Sequence, residues 1–183
     1  MSNLKLSRRC QVKQDRNQFD SNELFLVSQA VDRAEELVNN YFKLSSSQWL
    51  KNRYDIKTVK DLSSHERLDG PLAQVIKYEG TKEKVPFGSS IFSFYKVCLQ
   101  DRAILFAAET NHLLLEPLLL YILTHELVHV VRFSKFEHRY ENKNESDVTR
   151  EEERKVHRLT RDILKPIAMA GLSQVFEFYI DWV

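Results

Sequence analysis

The sequence predicts an α+β domain in which a small mixed or antiparallel sheet precedes a buried helix carrying the functional groups, with helices flanking it at both ends. Three observations predict this. Apolar residues recur at three- and four-residue steps from Leu24 to Tyr41, as on one face of a helix. Short aromatic and β-branched runs bounded by turn residues fill the middle of the chain. Finally, a nearly continuous apolar stretch from Leu118 to Phe133 is interrupted by His125, Glu126 and His129. A segment that apolar belongs inside the molecule, so its polar groups need partners there.

The length of 183 residues and a 43% hydrophobic content suit a single domain with a sizeable core. A net charge of +1, with basic residues scattered among acidic ones, argues against a nucleic-acid partner. Cys10 and Cys98 stand far apart and outside any ligand spacing, which predicts a reduced, disulfide-free cytoplasmic protein. The first ten residues lack the apolar core of a secretory signal, and the longest apolar run is cut by His125 and Glu126, so no membrane segment is expected.

Residues 1–19 are polar and mixed in charge, and read as a loose N-terminal arm. Asp20 with Glu23 forms a capping box, and the stripe Leu24, Val27, Val31, Ala34, Val38, Tyr41 predicts a helix from Ser21 to Phe42. Ser45–Ser47 ends it and caps a short helix through Arg53, whereas Tyr54 to Asp69 suits helical turns and extended chain equally. After the turn Asp69-Gly70-Pro71, Leu72–Tyr78 reads as a strand. Beyond a loop from Thr81 to Ser90, Ile91–Leu99 and Ala103–Ala108 are expected to pair as a hairpin. Glu116-Pro117 opens the apolar helix, because proline at the first helical position loses only an amide without a partner. A loop through Glu137–Asn144 leads to a helix starting near Asp147 or Thr149 and stopping at Lys165-Pro166. The aromatic segment 166–183 either folds back onto the domain or offers Phe176, Phe178, Ile180 and Trp182 to a protein partner.

His125 and His129 lie one helical turn apart on one face, where two imidazoles can hold one Zn²⁺, and the carboxylate of Glu126 can reach a water on the same ion. A catalytic zinc usually takes a third protein ligand. On the last helix the stripe Val148, Val156, Leu159, Ile163 puts Glu152 at its centre, so Glu152 is the first choice, with Glu153, His157 and the loop residue His138 as alternatives. Acidic residues also crowd helix starts for dipole reasons alone. Arg132, three residues past His129, is placed to pair with Glu152 or Glu153, or to receive a developing oxyanion; Tyr140 and His157 are further candidate donors to a transition state.

A strand region, a helix carrying His125-Glu126-Leu127-Val128-His129 and a glutamate on a later helix resemble the zincin metallopeptidases, and among them the small single-domain gluzincins. The resemblance covers roughly Leu72 to Leu164. The chain lacks the glycine and third histidine that extend the metzincin motif, and has Glu151-Glu152-Glu153 in place of the gluzincin Asn-Glu pair. The resemblance implies Zn²⁺ as cofactor, a peptide or protein substrate, Glu126 as the general base for a zinc-activated water, and an edge strand, by analogy Ala103–Ala108, that binds the peptide backbone. The alternative is a non-proteolytic zincin-like protein whose metal is structural and whose surface binds a partner. A carboxylate-bridged di-metal oxidase, suggested by the Glu126…His129 pair, fits poorly because the β-rich middle supplies too few helices.

Overall fold

The computed structural model describes residues 16–45, 53–81, 91–136 and 145–182. Among these, five α-helices surround a three-stranded mixed sheet. The elements are α1 (Ser21–Phe42), β1 (Arg53–Lys57), two 3₁₀ turns (Val59–Asp61 and Ser64–Glu66), β2 (Ala73–Thr81), β3 (Ile91–Leu99), α2 (Asp101–Thr110), α3 (Leu115–Phe136), α4 (Glu145–Leu164) and α5 (Leu172–Phe178), followed by a 3₁₀ turn at Ile180–Trp182.

α1 has the predicted bounds and cap. Asp20 accepts from the amides of Asn22 and Glu23, and the Glu23 carboxylate accepts from the Asp20 amide at 2.8 Å. Just before it, Phe19 is buried and donates its amide to Asp101, so the last residues of the expected arm are tied to the domain. Residues 1–15 of that arm, 48–52 of the short helix expected over 48–53, 82–90 of the loop expected over 81–90, and the loop at 137–144, with His138 and Tyr140, lie outside the described residues; Arg53 and Thr81 belong instead to β1 and β2.

β3 is the central strand, parallel to β1 and antiparallel to β2, in the order β1-β3-β2. Leu72–Tyr78 is therefore a strand as expected, and its hairpin partner is Ile91–Leu99. Ala103–Ala108 is not a strand but the body of α2. A six-residue apolar run is compatible with either structure. Here three alanines, at 103, 107 and 108, favour helix, and Asp101 fixes its start by accepting from the amides of Phe19 and Val59, both at 3.0 Å. The ambiguous segment after Tyr54 resolves into β1 and the two 3₁₀ turns.

The sheet alternates in the period of a pleat. Tyr95, Val97 and Leu99 on one face are buried in the main core, while Lys96 and Cys98 face the other way. On that second face the Ser64–Glu66 turn inserts Glu66, which accepts from Lys96, from the Tyr78 hydroxyl at 2.7 Å and from the Ser63 amide at 2.8 Å. These bonds, the one from Lys96 foremost, hold the Glu66 carboxyl well below the usual carboxylate range. A carboxyl lowered by folding contributes stability above its unfolded value near 4.3, and this is lost as pH falls toward the folded value. Wild type is expected to lose more thermal stability between pH 5 and pH 3 than Glu66→Gln does, read as melting temperature across that window. An equal loss in both proteins contradicts the role given to Glu66.

α3 is the centre of the molecule. Leu118, Leu119, Leu123, Leu127, Val128, Val130 and Val131 are fully buried among α1, α4, α5 and the sheet. Truncating one such leucine to alanine costs about 2–5 kcal/mol, so side chains on this helix are held on a stiff support. Gly171 turns the chain from α4 back into α5 at φ 84°, and a Cβ there would meet Leu114 Cδ1 at 2.9 Å. The glycine is thus needed twice, for its left-handed backbone and for close approach. The aromatic C-terminal segment folds back as a helix, with Phe176 edge-on to Tyr121. Among the described residues no helix is long and apolar enough to cross a membrane.

Candidate metal centre

Tyr121, His125, His129 and Phe133 recur every four residues and form one row along α3. The row points into a cleft of about 1610 Å³, which Glu126, Glu153 and His157 also line. His125 and His129 bring their Nε2 atoms to 3.1 Å from each other. From α4 the Glu153 carboxylate straddles them, Oε2 at 3.4 Å from His125 Nε2 and Oε1 at 3.3 Å from His129 Nε2.

The carboxylate that meets the two imidazoles is thus that of Glu153, the alternative to Glu152. Glu152 is occupied elsewhere: Arg132 donates to it through both Nε and Nη2, the latter at 2.8 Å. This is the helix-to-helix pairing expected for Arg132, bidentate and largely buried. It holds α4 against α3 one residue before Glu153. The preference for Glu152 came from centring the buried face on Val148 and Leu159. The face that is buried instead runs through Val156, His157, Thr160, Ile163 and Leu164. At about 100° per residue that turns its centre by roughly 80°, from Glu152 to Glu153. Apolar periodicity does not register His157 and Thr160, polar residues that are buried on this face.

His157 packs its ring 4.3 Å from that of His125, and its Nδ1 is 2.8 Å from the Tyr121 hydroxyl. Tyr179 of the C-terminal segment stacks flat on Tyr121, with ring centroids 4.3 Å apart. Tyr121 and Tyr179 carried no role in the sequence reading. The four-residue step from Tyr121 to His125 was the available signal for the first, and nothing short of the fold reveals the second.

The electrostatics are those of buried carboxylates and imidazoles paired with one another. Burial pushes the Glu126 carboxyl up, against the opposing pull of His125 and His129. Burial also works to raise Glu153, but the two imidazoles outweigh it and hold that carboxyl well below its usual range. For His129 burial acts downward, and Glu153 with Glu126 reverses it, so the net direction is up. Burial, reinforced by His125, pushes His157 down to about 3, which keeps it a neutral imidazole at physiological pH.

Whether a cation fits follows from the donor spacing. A tetrahedral zinc with ligands at 2.0–2.1 Å spaces them about 3.3–3.4 Å apart. The three separations here are 3.1, 3.3 and 3.4 Å. A second set is nearby, since the donor atoms of His125, Glu153 and His157 lie within 4.8 Å of one another. The tighter set is the better match to one ion. The Nδ1 atoms of His125 and His129 are buried and meet no hydrogen-bond partner among the described residues. Both imidazoles turn their Nε2 atoms toward the carboxylate, while the far-side Nδ1 partner that usually orients a ligating histidine is not found among the described residues.

Comparison with protein-family models, with curated proteins and with solved structures returned no match.

Proposed function

We propose that the protein is a zinc-dependent metallopeptidase of zincin type, with His125, His129 and Glu153 as metal ligands and Glu126 as general base. The observation that carries this reading is the convergence of two imidazole Nε2 atoms and one carboxylate at 3.1–3.4 Å, beside a second, buried carboxylate in an open cleft. A Zn²⁺ ion bound there would supply a Lewis acid and lower the pKa of water to near 7.

The remaining work belongs to the chain. Glu126 adjoins His125 in sequence and lines the same cleft, and its raised pKa makes it a better proton acceptor than an ordinary carboxylate. The same carboxyl can then return the proton to a departing amine. His157, oriented by Tyr121, stands beside His125 as a neutral imidazole able to donate a hydrogen bond to charge developing on a carbonyl oxygen. Ala73, Gln74 and Val75 of β2 line the cleft, and β2 has no neighbouring strand on its outer side among the described residues. This edge, in place of the expected Ala103–Ala108, is suited to pair with an extended peptide.

The alternative, a structural metal in a non-proteolytic protein that binds a partner, is favoured by one observation: His157 lies close enough to approach as a fourth ligand and close the site. The test is hydrolysis of a denatured protein such as casein by the zinc-loaded chain. Peptide products that disappear with chelator and return with added zinc support the peptidase. A zinc-replete protein that yields none in any condition favours the structural metal.

A further inference from the structure

Most large apolar residues exposed on a protein are scattered singly and need no explanation. Here three of them line the cleft into which the histidine row points. Phe106 is 69% exposed, Leu68 41% and Phe178 37%, and all three line that cleft. They come from separate elements: α2, the segment leading into β2, and α5. Phe106 stands out within its own helix, since Ile104, Leu105, Ala107 and Ala108 beside it are all buried. Phe178 immediately precedes Tyr179, which stacks on Tyr121 and lies 5.3 Å from the ring of His157. Leu72 and Val75 add partly buried apolar surface along the same wall. Exposed apolar groups from separate elements that line one concavity mark a recognition surface.

We propose that this rim selects the substrate: an extended peptide seated along Ala73–Val75 of β2, with one bulky apolar side chain received among Phe106, Leu68 and Phe178. The inference rests on the peptidase reading for the word substrate, though not for the apolar pocket itself. Backbone pairing to an edge strand is indifferent to sequence, so discrimination must come from the side chains that flank it. Arg67, the nearest basic neighbour of Leu68 in sequence, turns its Nε to the carbonyl of Leu62 at 3.1 Å.

The probe is a pair of fluorescent ten-residue peptides, identical except for a central Phe or Asp, titrated by fluorescence polarisation onto zinc-loaded Glu126→Gln protein. The Phe peptide is expected to bind at least about tenfold more tightly, as loss of a large apolar contact typically gives. Phe106→Asp and Leu68→Asp, both at exposed positions, should each remove most of that preference while zinc content and melting temperature stay unchanged. Equal affinity for the two peptides, or a preference that survives both substitutions, overturns the proposal. So does a concentration-dependent dimer that Phe106→Asp abolishes without any peptide preference, which makes the rim a contact between two copies of this chain. If the preference holds but wild type never cleaves the Phe peptide, the pocket stands and the peptidase reading fails. Cleavage of many bonds with no apolar preference has the opposite meaning.

Discussion

Glu126→Gln is expected to keep its zinc and to lose peptide hydrolysis by about 10²–10⁴-fold, the usual contribution of a positioned general base. The amide fills the same space and leaves His125, His129 and Glu153 in place, but cannot take a proton. The same substitution has a signature without metal. Burial raises the Glu126 carboxyl above its unfolded value. A carboxyl raised by folding binds more protons in the native state, so its ionisation opposes folding as pH climbs from the unfolded value near 4.3 upward. Metal-free Glu126→Gln should therefore melt above metal-free wild type at pH 7, and the gap should close below pH 4. Calorimetry of the chelated proteins checks this. A variant that melts lower than wild type at pH 7 places Glu126 in a stabilising ion pair instead.

Zinc itself is expected to raise the melting temperature by about 8–16 °C. A ligand that binds only the native state contributes about 4.1 kcal/mol at a thousand times its Kd, and a domain of this size gains about 2–4 °C per kcal/mol. The physical origin is that the two imidazole nitrogens and the carboxylate already stand within 3.4 Å in the folded chain and not in the unfolded one. A cation held by them would join α3 to α4 across the cleft. The shift should vanish in His129→Ala and survive in His157→Ala. A shift abolished by His157→Ala as well would make His157 a ligand and the centre a closed one.

Much of this architecture is legible in local sequence. The capping box at Asp20 and Glu23 and the stripe behind it give α1 to the residue, because those signals act within one or two turns. The strands β2 and β3 are readable from β-branched and aromatic runs, and the His125/His129 pair from the helical step alone. What the sequence does not give depends on tertiary burial. Ala103–Ala108 reads as a strand by its apolar run, yet becomes a helix because Asp101 is fixed by the distant amides of Phe19 and Val59.

The carboxylate beside the two histidines illustrates the same limit. Glu151, Glu152 and Glu153 look alike in sequence, where the helix is expected to start near Asp147 or Thr149; α4 begins at Glu145, which puts them in its interior, and only its orientation separates them. That orientation is set by Arg132 on Glu152 and by the packing of His157 and Thr160, polar residues buried for reasons that hydrophobic periodicity cannot register. Tyr179 is more hidden still, since it reaches the centre only because Gly171 lets the chain double back.

The most direct test of the central claim is elemental analysis of wild type, Glu152→Ala and Glu153→Ala, purified without chelator and dialysed against trace zinc. The geometry predicts one zinc per chain in wild type, most of it kept in Glu152→Ala, and none in Glu153→Ala. Zinc kept by Glu153→Ala and lost from Glu152→Ala, or wild type unable to take up any divalent metal, contradicts the account.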